Sequence, residues 1–349
     1  MLTRTAFLAV LLCLAAAPAR AGGNFFPLCM YGITRPAELA ALKKAGFNCF
    51  HTYTQEPEAL AGLAAEAERQ QLQMVAYPDR VIGSAYAGEA KKWPMLAWYL
   101  YDEPEVARFP PADLLKLDRR VKAWAPGQRT AFVVGTGMAA YTYGAAADVL
   151  MVDWYPVSHL KLESVGYQVT VVKDAAKKAA AEGAEKPVWA VLQAFDWKRF
   201  PQSKKERVGR FPTFDELRFM TYLALVRGAG GLFYFTFGQE DGKTLADQPD
   251  RWAYFEKLAA ELNTLMPALS TGKEKIPPPG LDRRLAVKAI SGGGDDYLLL
   301  LNPTDASVPL NGAALKDWRP RFEEKGSLGE LLPGGGDLPP YRALVLEKN

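Results

Sequence analysis

Eight short apolar segments alternate with helical patterns between residues 26 and 238, and this order constrains the fold more than any other feature of the sequence. The segments are rich in Val, Phe, Tyr and Trp and mostly lack polar alternation, which is typical of strands covered on both faces. They are residues 28–33, 49–54, 73–77, 96–101, 130–135, 149–155, 188–194 and 232–237. Eight strand–helix units in about 210 residues predict an α/β protein with a (β/α)8 barrel.

The segments between these strands have the spacing of amphipathic helices. Residues 60–67 carry apolar side chains at positions i, i+3, i+4 and i+7, and Thr213 and Glu216 form a Thr-x-x-Glu capping box. An open, doubly wound sheet is the alternative, because periodicity alone does not show closure. The first strand continues into residues 31–36 without a glycine-rich phosphate loop, which disfavours nucleotide-binding relatives.

The pattern changes after residue 275, where Pro277-Pro278-Pro279 follows a last barrel helix predicted at residues 252–269. Beyond it, strand-like segments at residues 285–290, 297–301, 307–310 and 342–346 are separated by Gly and Asn-Pro turns. We therefore predict a barrel domain at residues 22–275 and a small all-β sandwich at residues 281–349, packed beside it. The residues expected to be buried in the sandwich include Leu285, Val287, Leu298 and Leu300.

The N-terminus has the three parts of a secretory signal peptide. Arg4 supplies the positive charge, residues 6–17 are apolar, and Ala19-Arg20-Ala21 has the small-x-small pattern of a cleavage site. The apolar run is short for a membrane span, so an uncleaved anchor is the less favoured alternative. We predict a signal peptide at residues 1–21, a mature chain that starts near Gly22 and is secreted or periplasmic, and no membrane contact after cleavage.

Charge and cysteine content exclude several functions. The predicted signal peptide holds two of the 42 basic residues and none of the 39 acidic ones, so the mature chain is almost neutral. Such a chain has no electrostatic basis for binding nucleic acid or an anionic membrane. Cys29 and Cys49 lie in apolar strands, where we expect buried free thiols rather than a bridge. With His51 and His159 as the two histidines, we expect no dedicated zinc site and no cofactor.

Barrel enzymes carry their chemistry at the carboxyl ends of the strands, so these ends give the candidate site residues. Carboxylates and aromatic rings interleave there, as a sugar site requires, because rings stack on the C–H faces of a pyranose while carboxylates and amides bond its hydroxyls. Aromatic residues in barrel strands more often belong to the core, and Asp79 or Asp196 could be a helix cap. The candidates for substrate binding are Tyr53, Asp79, Tyr101, Trp154, Tyr155, Gln193, Asp196, Trp197 and Glu240.

Asp102-Glu103-Pro104, at the end of the fourth strand, is the most specific motif. Two acids at the end of an apolar strand would be costly to bury without partners, and Pro104 keeps the next helix from starting early. We predict Glu103 as the central catalytic residue, with Asp102 and Asp153 as further catalytic candidates. Solvated acids at a loop entrance are the alternative.

Residues 98–104, Trp-Tyr-Leu-Tyr-Asp-Glu-Pro, resemble the Asn-Glu-Pro acid/base element of the large clan of retaining (β/α)8 glycoside hydrolases. Residues 152–156 and 186–191 resemble two further elements of that clan, in which a C-terminal β-domain also recurs. The resemblance implies an exported hydrolase of glycosidic bonds in a poly- or oligosaccharide, with Glu103 as general acid/base. Asp102 stands where the clan has Asn, and Gln193 stands at its nucleophilic Glu, so the ordinary retaining mechanism is in doubt.

Two catalytic mechanisms are compatible with these departures. In the first, which resembles the β-N-acetylhexosaminidases with consecutive Asp and Glu on strand 4, the substrate's 2-acetamido oxygen is the nucleophile. Asp102 would then orient that group while Glu103 protonates the leaving oxygen. In the second, Glu103 is the acid and a distant carboxylate (Asp153, Asp196 or Glu240) activates water, with the carboxyl groups about 6.5–9.5 Å apart.

A third interpretation takes Gln193 as the mark of a carbohydrate-binding barrel that has lost catalysis, and a barrel with a non-sugar substrate is a further alternative. The environment of Glu103 separates the enzyme from the binding protein. A second carboxyl group that supports Glu103 would favour the enzyme, whereas an Arg or Lys paired with Glu103 would favour the binding protein.

Overall fold

The eight predicted strands form a closed parallel barrel in chain order, as seen in a computed structural model that describes residues 25–181, 184–200, 208–322 and 335–349. Because the first strand pairs with the eighth, the open-sheet alternative is wrong and the predicted barrel is confirmed. The predicted signal peptide lies outside the described residues. The strands are β1 (Leu28–Met30), β2 (Cys49–His51), β3 (Gln73–Ala76), β4 (Met95–Asp102), β5 (Thr130–Val134), β6 (Val149–Trp154), β7 (Val188–Gln193) and β8 (Leu232–Phe235).

Seven α-helices lie in the described ranges, and the longer ones surround the barrel. Several begin with proline in the first turn, where its missing N–H costs nothing, and the capping box of Thr213 and Glu216 is confirmed. None of the described helices is long and apolar enough to cross a membrane. The helices are α1 (Leu39–Lys44), α2 (Pro57–Gln70), α3 (Pro111–Trp124), α4 (Ala140–Tyr143), α5 (Ser164–Ala179), α6 (Phe214–Val226) and α7 (Pro249–Thr271).

Cys29 and Cys49 occupy directly paired positions of β1 and β2, and both belong to the apolar cluster inside the barrel. Their Cα atoms are 4.5 Å apart, a distance that a disulfide spans, and the two residues form a disulfide. The prediction of free thiols is therefore wrong. The sequence shows that each cysteine lies in an apolar strand, but it does not show that the two strands are neighbours with these positions in register.

The C-terminal residues form the predicted small all-β domain. A five-stranded sheet has the order β13-β15-β11-β10-β9, and a two-stranded sheet pairs β12 with β14. Leu298, Leu300 and Leu338 belong to an apolar cluster that both sheets share, with Leu285 buried and Val287 partly buried against it. The strands are β9 (Lys273–Lys275), β10 (Ala286–Gly292), β11 (Asp295–Leu301), β12 (Val308–Leu310), β13 (Trp318–Pro320), β14 (Gly336–Leu338) and β15 (Ala343–Lys348).

The sheet of this domain begins before the proline run, because β9 pairs with β10 along Lys273–Lys275. Residues that the sequence assigns to the end of the barrel domain thus form an edge strand of the C-terminal sheet. One face of the five-stranded sheet packs on the barrel. There Arg218 of α6 and Glu261 of α7 form a buried ion pair of 2.7 Å. The hydroxyl of Tyr222 donates to the same carboxylate at 2.9 Å, and Arg218 also donates to the carbonyl of Ala343 in β15. Buried charges need such partners, so this network fixes the β-domain against the barrel.

Candidate active site

A bulge in β4 places Asp102 at the mouth of the barrel. Tyr99 pairs with Ala131 of β5, but Asp102 pairs with Val133, so three steps along β4 match two steps along β5. Tyr99 points into the barrel, and Asp102 lies on the same side, because the Tyr99 hydroxyl donates to Asp102 Oδ1 at 2.6 Å. Regular alternation would have placed Tyr101 there instead.

Tyr101 consequently faces outward, between the barrel and its helices. Its ring stacks on Phe109 with the centroids 4.3 Å apart, and both residues pack against the outer apolar cluster. Tyr101 therefore does not line the cavity described below, and the bulge is the reason.

Glu103 follows the bulge with a φ of 47°, which few residues other than glycine adopt. Its side chain packs over Gly135, where an added Cβ atom would lie 2.5 Å from Glu103 Oε1. The carboxylate of Glu105 accepts hydrogen bonds from the backbone N–H of Gly135 at 2.7 Å and of Thr136 at 3.1 Å. Glu105 thereby fixes the end of β5 against Glu103.

Asp153 of β6 forms a side-chain hydrogen bond with Glu103. Burial raises the pKa of Asp153 well above its ordinary value, and the charges of Glu103 and Asp102 raise it further. Burial also raises the pKa of Glu103, as do the charges of Asp102 and Glu105, whereas the hydrogen bond with Asp153 lowers it. The two carboxyl groups titrate as a unit that holds a proton to higher pH than an isolated carboxyl group.

Two tyrosines hold Asp102. The hydroxyl of Tyr53 donates to Asp102 Oδ2 at 3.4 Å, opposite the bond from Tyr99. Burial raises the pKa of Asp102, while both hydroxyls lower it by stabilising the charged form. Below them His51 is fully buried and stacks on Tyr31 at 4.0 Å. Burial lowers the pKa of His51 well below its ordinary value, so this ring is neutral.

These groups line a cavity of about 270 Å³ at the carboxyl end of the barrel. Six predicted site residues meet there: Tyr53, Asp102, Glu103, Asp153, Tyr155 and Trp197. The remaining lining residues are Tyr31, Val133, Val191, Phe195, Phe200 and Phe235. Within the described ranges, no Lys or Arg lines the cavity or forms an ion pair with Glu103.

Two predicted acids lie outside this cavity. Asp79 is exposed and faces Arg120 at 3.4 Å. Asp196 accepts a hydrogen bond from the backbone N–H of Lys198 at 2.9 Å and caps a short 3-10 helix. Asp196 thus has the capping role that is usual for an Asp after a strand, and neither residue is placed to bind a substrate in the cavity.

Trp154 follows Asp153 and therefore points to the opposite face of β6. Its indole Nε1–H donates to Ser164 Oγ at 2.8 Å, which ties the end of β6 to the start of α5. Trp154, a predicted substrate contact, therefore does not line the cavity. The side chain of Glu240, another predicted contact, lies outside the described part of the structure.

Gln193, at the end of β7, is 0% exposed and bonded to the backbone. Its Oε1 accepts from the N–H of Val157 at 2.8 Å. Its Nε2 donates to the carbonyl of Val157 at 2.6 Å and to that of Phe195 at 3.1 Å. Gln193 therefore anchors the loop after β6 to β7 and does not line the cavity, although the sequence placed it among the candidates for substrate binding.

The sequence interpretation missed the apolar wall of the cavity. Phe235 follows Phe233 by two residues, and Phe233 belongs to the inner cluster, so extending that alternation would have identified Phe235. Phe195 and Phe200 lie beyond β7, where no periodicity applies. In the described residues, no group of three or more His, Cys, Asp or Glu side chains could hold a metal ion.

Several solved structures resemble this one. Amy13B from Eubacterium rectale aligns with a TM-score of 0.60 and 9% identity over 96% of this chain and 99% of its own. A glycoside hydrolase family 5 protein from Bacteroides vulgatus gives 0.59 and 13% over 93% and 89%. A family 30 endoxylanase from Clostridium papyrosolvens gives 0.52 and 10% over 95% and 98%. No protein-family model matches the sequence, and no curated protein matches it significantly. Over nearly its whole length, the chain shares the fold of these solved structures.

Proposed function

We propose that the protein hydrolyses glycosidic bonds in poly- or oligosaccharides, with Glu103 as the general acid/base. The observation that supports this is the hydrogen-bonded pair of Glu103 and Asp153 in an aromatic-walled cavity at the carboxyl end of the barrel. A general acid needs a raised pKa to stay protonated at its working pH, and burial raises that of Glu103. Among the described residues, Glu103 is paired with the carboxyl group of Asp153 and not with a Lys or Arg. This pairing favours an enzyme over a sugar-binding protein.

Two of the conventional arrangements fit this site poorly. Inversion needs carboxyl groups about 6.5–9.5 Å apart to leave room for water, so the hydrogen-bonded Asp153 is too close to Glu103 to serve as its base. Asp196 caps a helix outside the cavity. Retention in the manner of the clan needs a carboxylate at the end of β7, whereas Gln193 there is an amide bonded to the backbone.

We therefore propose that the substrate supplies the nucleophile. The oxygen of a 2-acetamido group attacks the anomeric carbon and forms a cyclic oxazolinium, while the glycosidic C–O bond breaks and Glu103 protonates the leaving oxygen. Water then attacks the anomeric carbon, Glu103 takes a proton from that water, and the acetamido group is regenerated. Asp102 is held by Tyr53 and Tyr99. It accepts a hydrogen bond from the N–H of the substrate's acetamido group and stabilises the positive charge of the oxazolinium ring.

A substrate comparison combined with Asp102→Ala tests this mechanism. We expect the wild type to cleave aryl 2-acetamido-2-deoxyglycosides and to leave matched 2-hydroxy glycosides almost untouched. Asp102→Ala should lose about 10²–10³ in kcat, because an electrostatic group that acts in the transition state is gone. Asp79→Ala is the control and should keep full activity, since Asp79 is outside the cavity. Equal cleavage of 2-hydroxy glycosides by the wild type would refute substrate assistance.

Gly135→Ala should lower activity without unfolding the protein. The added methyl group would displace the Glu103 carboxyl, and a misplacement of about 1 Å can cost up to about 10² in rate. We expect kcat/KM on the best substrate to fall while the melting temperature changes little. Gly62→Ala, in helix α2 where the new Cβ meets only Pro36 Cγ at 3.9 Å, is the matched control and should leave kcat/KM unchanged. Unaltered kcat/KM in Gly135→Ala would show that Glu103 does not act from its observed position.

We also propose that the protein is exported and that the mature chain starts near Gly22. The disulfide between Cys29 and Cys49 supports this proposal, because such bonds persist in oxidising compartments outside the cytosol. Amino-terminal sequencing of protein isolated from the native host should begin at or next to Gly22. A soluble cytosolic product that retains Met1 would contradict export.

A further inference from the structure

The cavity is surrounded by the barrel on nearly every side. Its lining residues come from seven of the eight strands or the segments that directly follow them, from Tyr31 after β1 to Phe235 in β8. Only β3 contributes none, and there the ring of Tyr77, just after β3, packs 6.4 Å from that of Tyr53. A cleft that holds a long chain is open at two opposite sides. Here the described lining residues follow the barrel round, and we call this cavity the well.

Within the described part of the chain, the well has a closed floor and a mouth that opens to solvent. The floor consists of Tyr31, Val133 and Val191. Each is about 1% exposed, and all three belong to the inner apolar cluster. Next to Tyr31 the lumen is filled by the inner apolar cluster, since this ring packs on that of Phe233 at 5.6 Å. At the other end Tyr53 is 38% exposed and Asp102 is also exposed, so these residues mark the mouth.

The volume of the well limits how much of a saccharide it can enclose. Its size of about 270 Å³ is below the roughly 300–1,000 Å³ of cavities that enclose drug-sized ligands. A space of this size matches one pyranose ring with its substituents better than two linked rings. Tyr155, Phe195 and Phe235 supply aromatic surface for the C–H face of that ring, with Tyr155 and Phe235 stacked at 5.6 Å.

We propose that the well takes the single terminal sugar of a chain, so that the enzyme releases monosaccharides from chain ends and does not cut within the chain. This inference rests on the proposed glycoside hydrolysis and specifies its mode of action. The terminal ring enters with its anomeric carbon towards Glu103, which is half-buried between the floor and the mouth. The remainder of the chain leaves through the mouth past Tyr53 and Asp102 into solvent.

Oligosaccharides labelled at the reducing end test the mode of cleavage. With 2-acetamido-sugar oligomers of two to six units, we expect free monosaccharide as the sole unlabelled product and a labelled chain that shortens one unit at a time. An oligomer whose non-reducing terminal sugar carries a bulky 4-O-substituent should resist cleavage, because the well has no room for the addition. Release of unlabelled fragments longer than one unit, or cleavage of the blocked oligomer, would overturn the single-sugar well but not the glycosidase assignment.

Saccharide binding to the Glu103→Gln variant tests the size of the site independently of turnover. If a single sugar fills the site, the monosaccharide and the tetrasaccharide should bind with Kd values within about threefold of each other. A tetrasaccharide that binds more than about tenfold tighter would reveal further subsites and refute the proposal. If wild type cleaves no glycoside while both ligands bind equally, the well stands and the enzymatic function is wrong. If neither ligand binds and none is cleaved, both proposals are wrong.

Discussion

Glu103→Gln is expected to lose about 10²–10⁴ in kcat on glycosides with poor leaving groups. Glutamine preserves the shape of the side chain but has no proton to give to the departing oxygen. Aryl glycosides with acidic phenols need less protonation and should be affected less, so the loss should grow with the pKa of the leaving group. Glu58→Gln, an exposed change in the first turn of α2, is the control and should behave as wild type. An equal loss for all leaving groups would show that Glu103 is not the acid.

The pH dependence of kcat in the wild type should follow the ionisation of Glu103. The acid must be protonated, so kcat on unactivated glycosides falls as the pH rises through its pKa. Burial and the charge of Asp102 raise that pKa, which extends activity to higher pH than an ordinary carboxyl group would allow. In Asp102→Asn one of these charges is removed, so the alkaline limb of the profile should move to lower pH. A limb that stays in place or moves upward would contradict this electrostatic role.

Gln193→Glu would introduce the residue type that the glycosidase clan uses as nucleophile, yet we expect it to unfold the protein rather than change its mechanism. The amide Nε2 donates to two carbonyl oxygens, those of Val157 and Phe195, in a site with no solvent exposure. In Gln193→Glu, a carboxylate oxygen would replace Nε2. It would face both carbonyl oxygens and would have no hydrogen to donate to them. An uncompensated buried charge costs about 3–5 kcal/mol of folding free energy, a large part of the stability of a typical domain.

Urea unfolding at several pH values measures this cost. The pKa of the introduced carboxyl group would be raised in the folded state, because the protonated form can still donate to one carbonyl. The loss of stability should therefore be small below the unfolded-state pKa of about 4.3 and grow as the pH rises above it. Gln55→Glu, at an exposed position after β2, is the matched control and should change stability by less than about 0.5 kcal/mol. A Gln193→Glu protein as stable as wild type would refute the anchoring role of Gln193.

The barrel could be predicted from the sequence because its strands are buried on both faces and read as continuous apolar runs. Strands that lack this property were missed. Lys273–Lys275 consists of charged residues and forms a strand only because β10 offers an edge to pair with. Trp318–Pro320 consists of a polar residue between Trp and Pro, and Gly336–Leu338 starts within a glycine run that predicts a turn.

The position of the candidate site at the strand ends could be predicted from the sequence. The direction of each side chain there could not. Glu103, Asp153 and Tyr155 follow from the rule that barrel sites lie at the carboxyl ends. The outward direction of Tyr101 could not be predicted, because one unpaired residue in β4 reverses the alternation and no residue type marks that bulge. The anchoring role of Gln193 could not be predicted either, because its partner, the backbone of Val157, lies in the loop after β6 and has no sequence signature.

The extra residue in β4 has a consequence for anyone who transplants this pair of acids into another barrel. A regular strand turns consecutive side chains to opposite faces, so copying Asp-Glu onto the end of an idealised β4 would leave one acid outside the lumen. The graft must carry the irregular pairing with β5 as well, together with a glycine at the position of Gly135 to receive the second acid. The unit to be inherited or engineered is therefore two neighbouring strand ends with their mismatch in length, followed by a positive φ at the second acid.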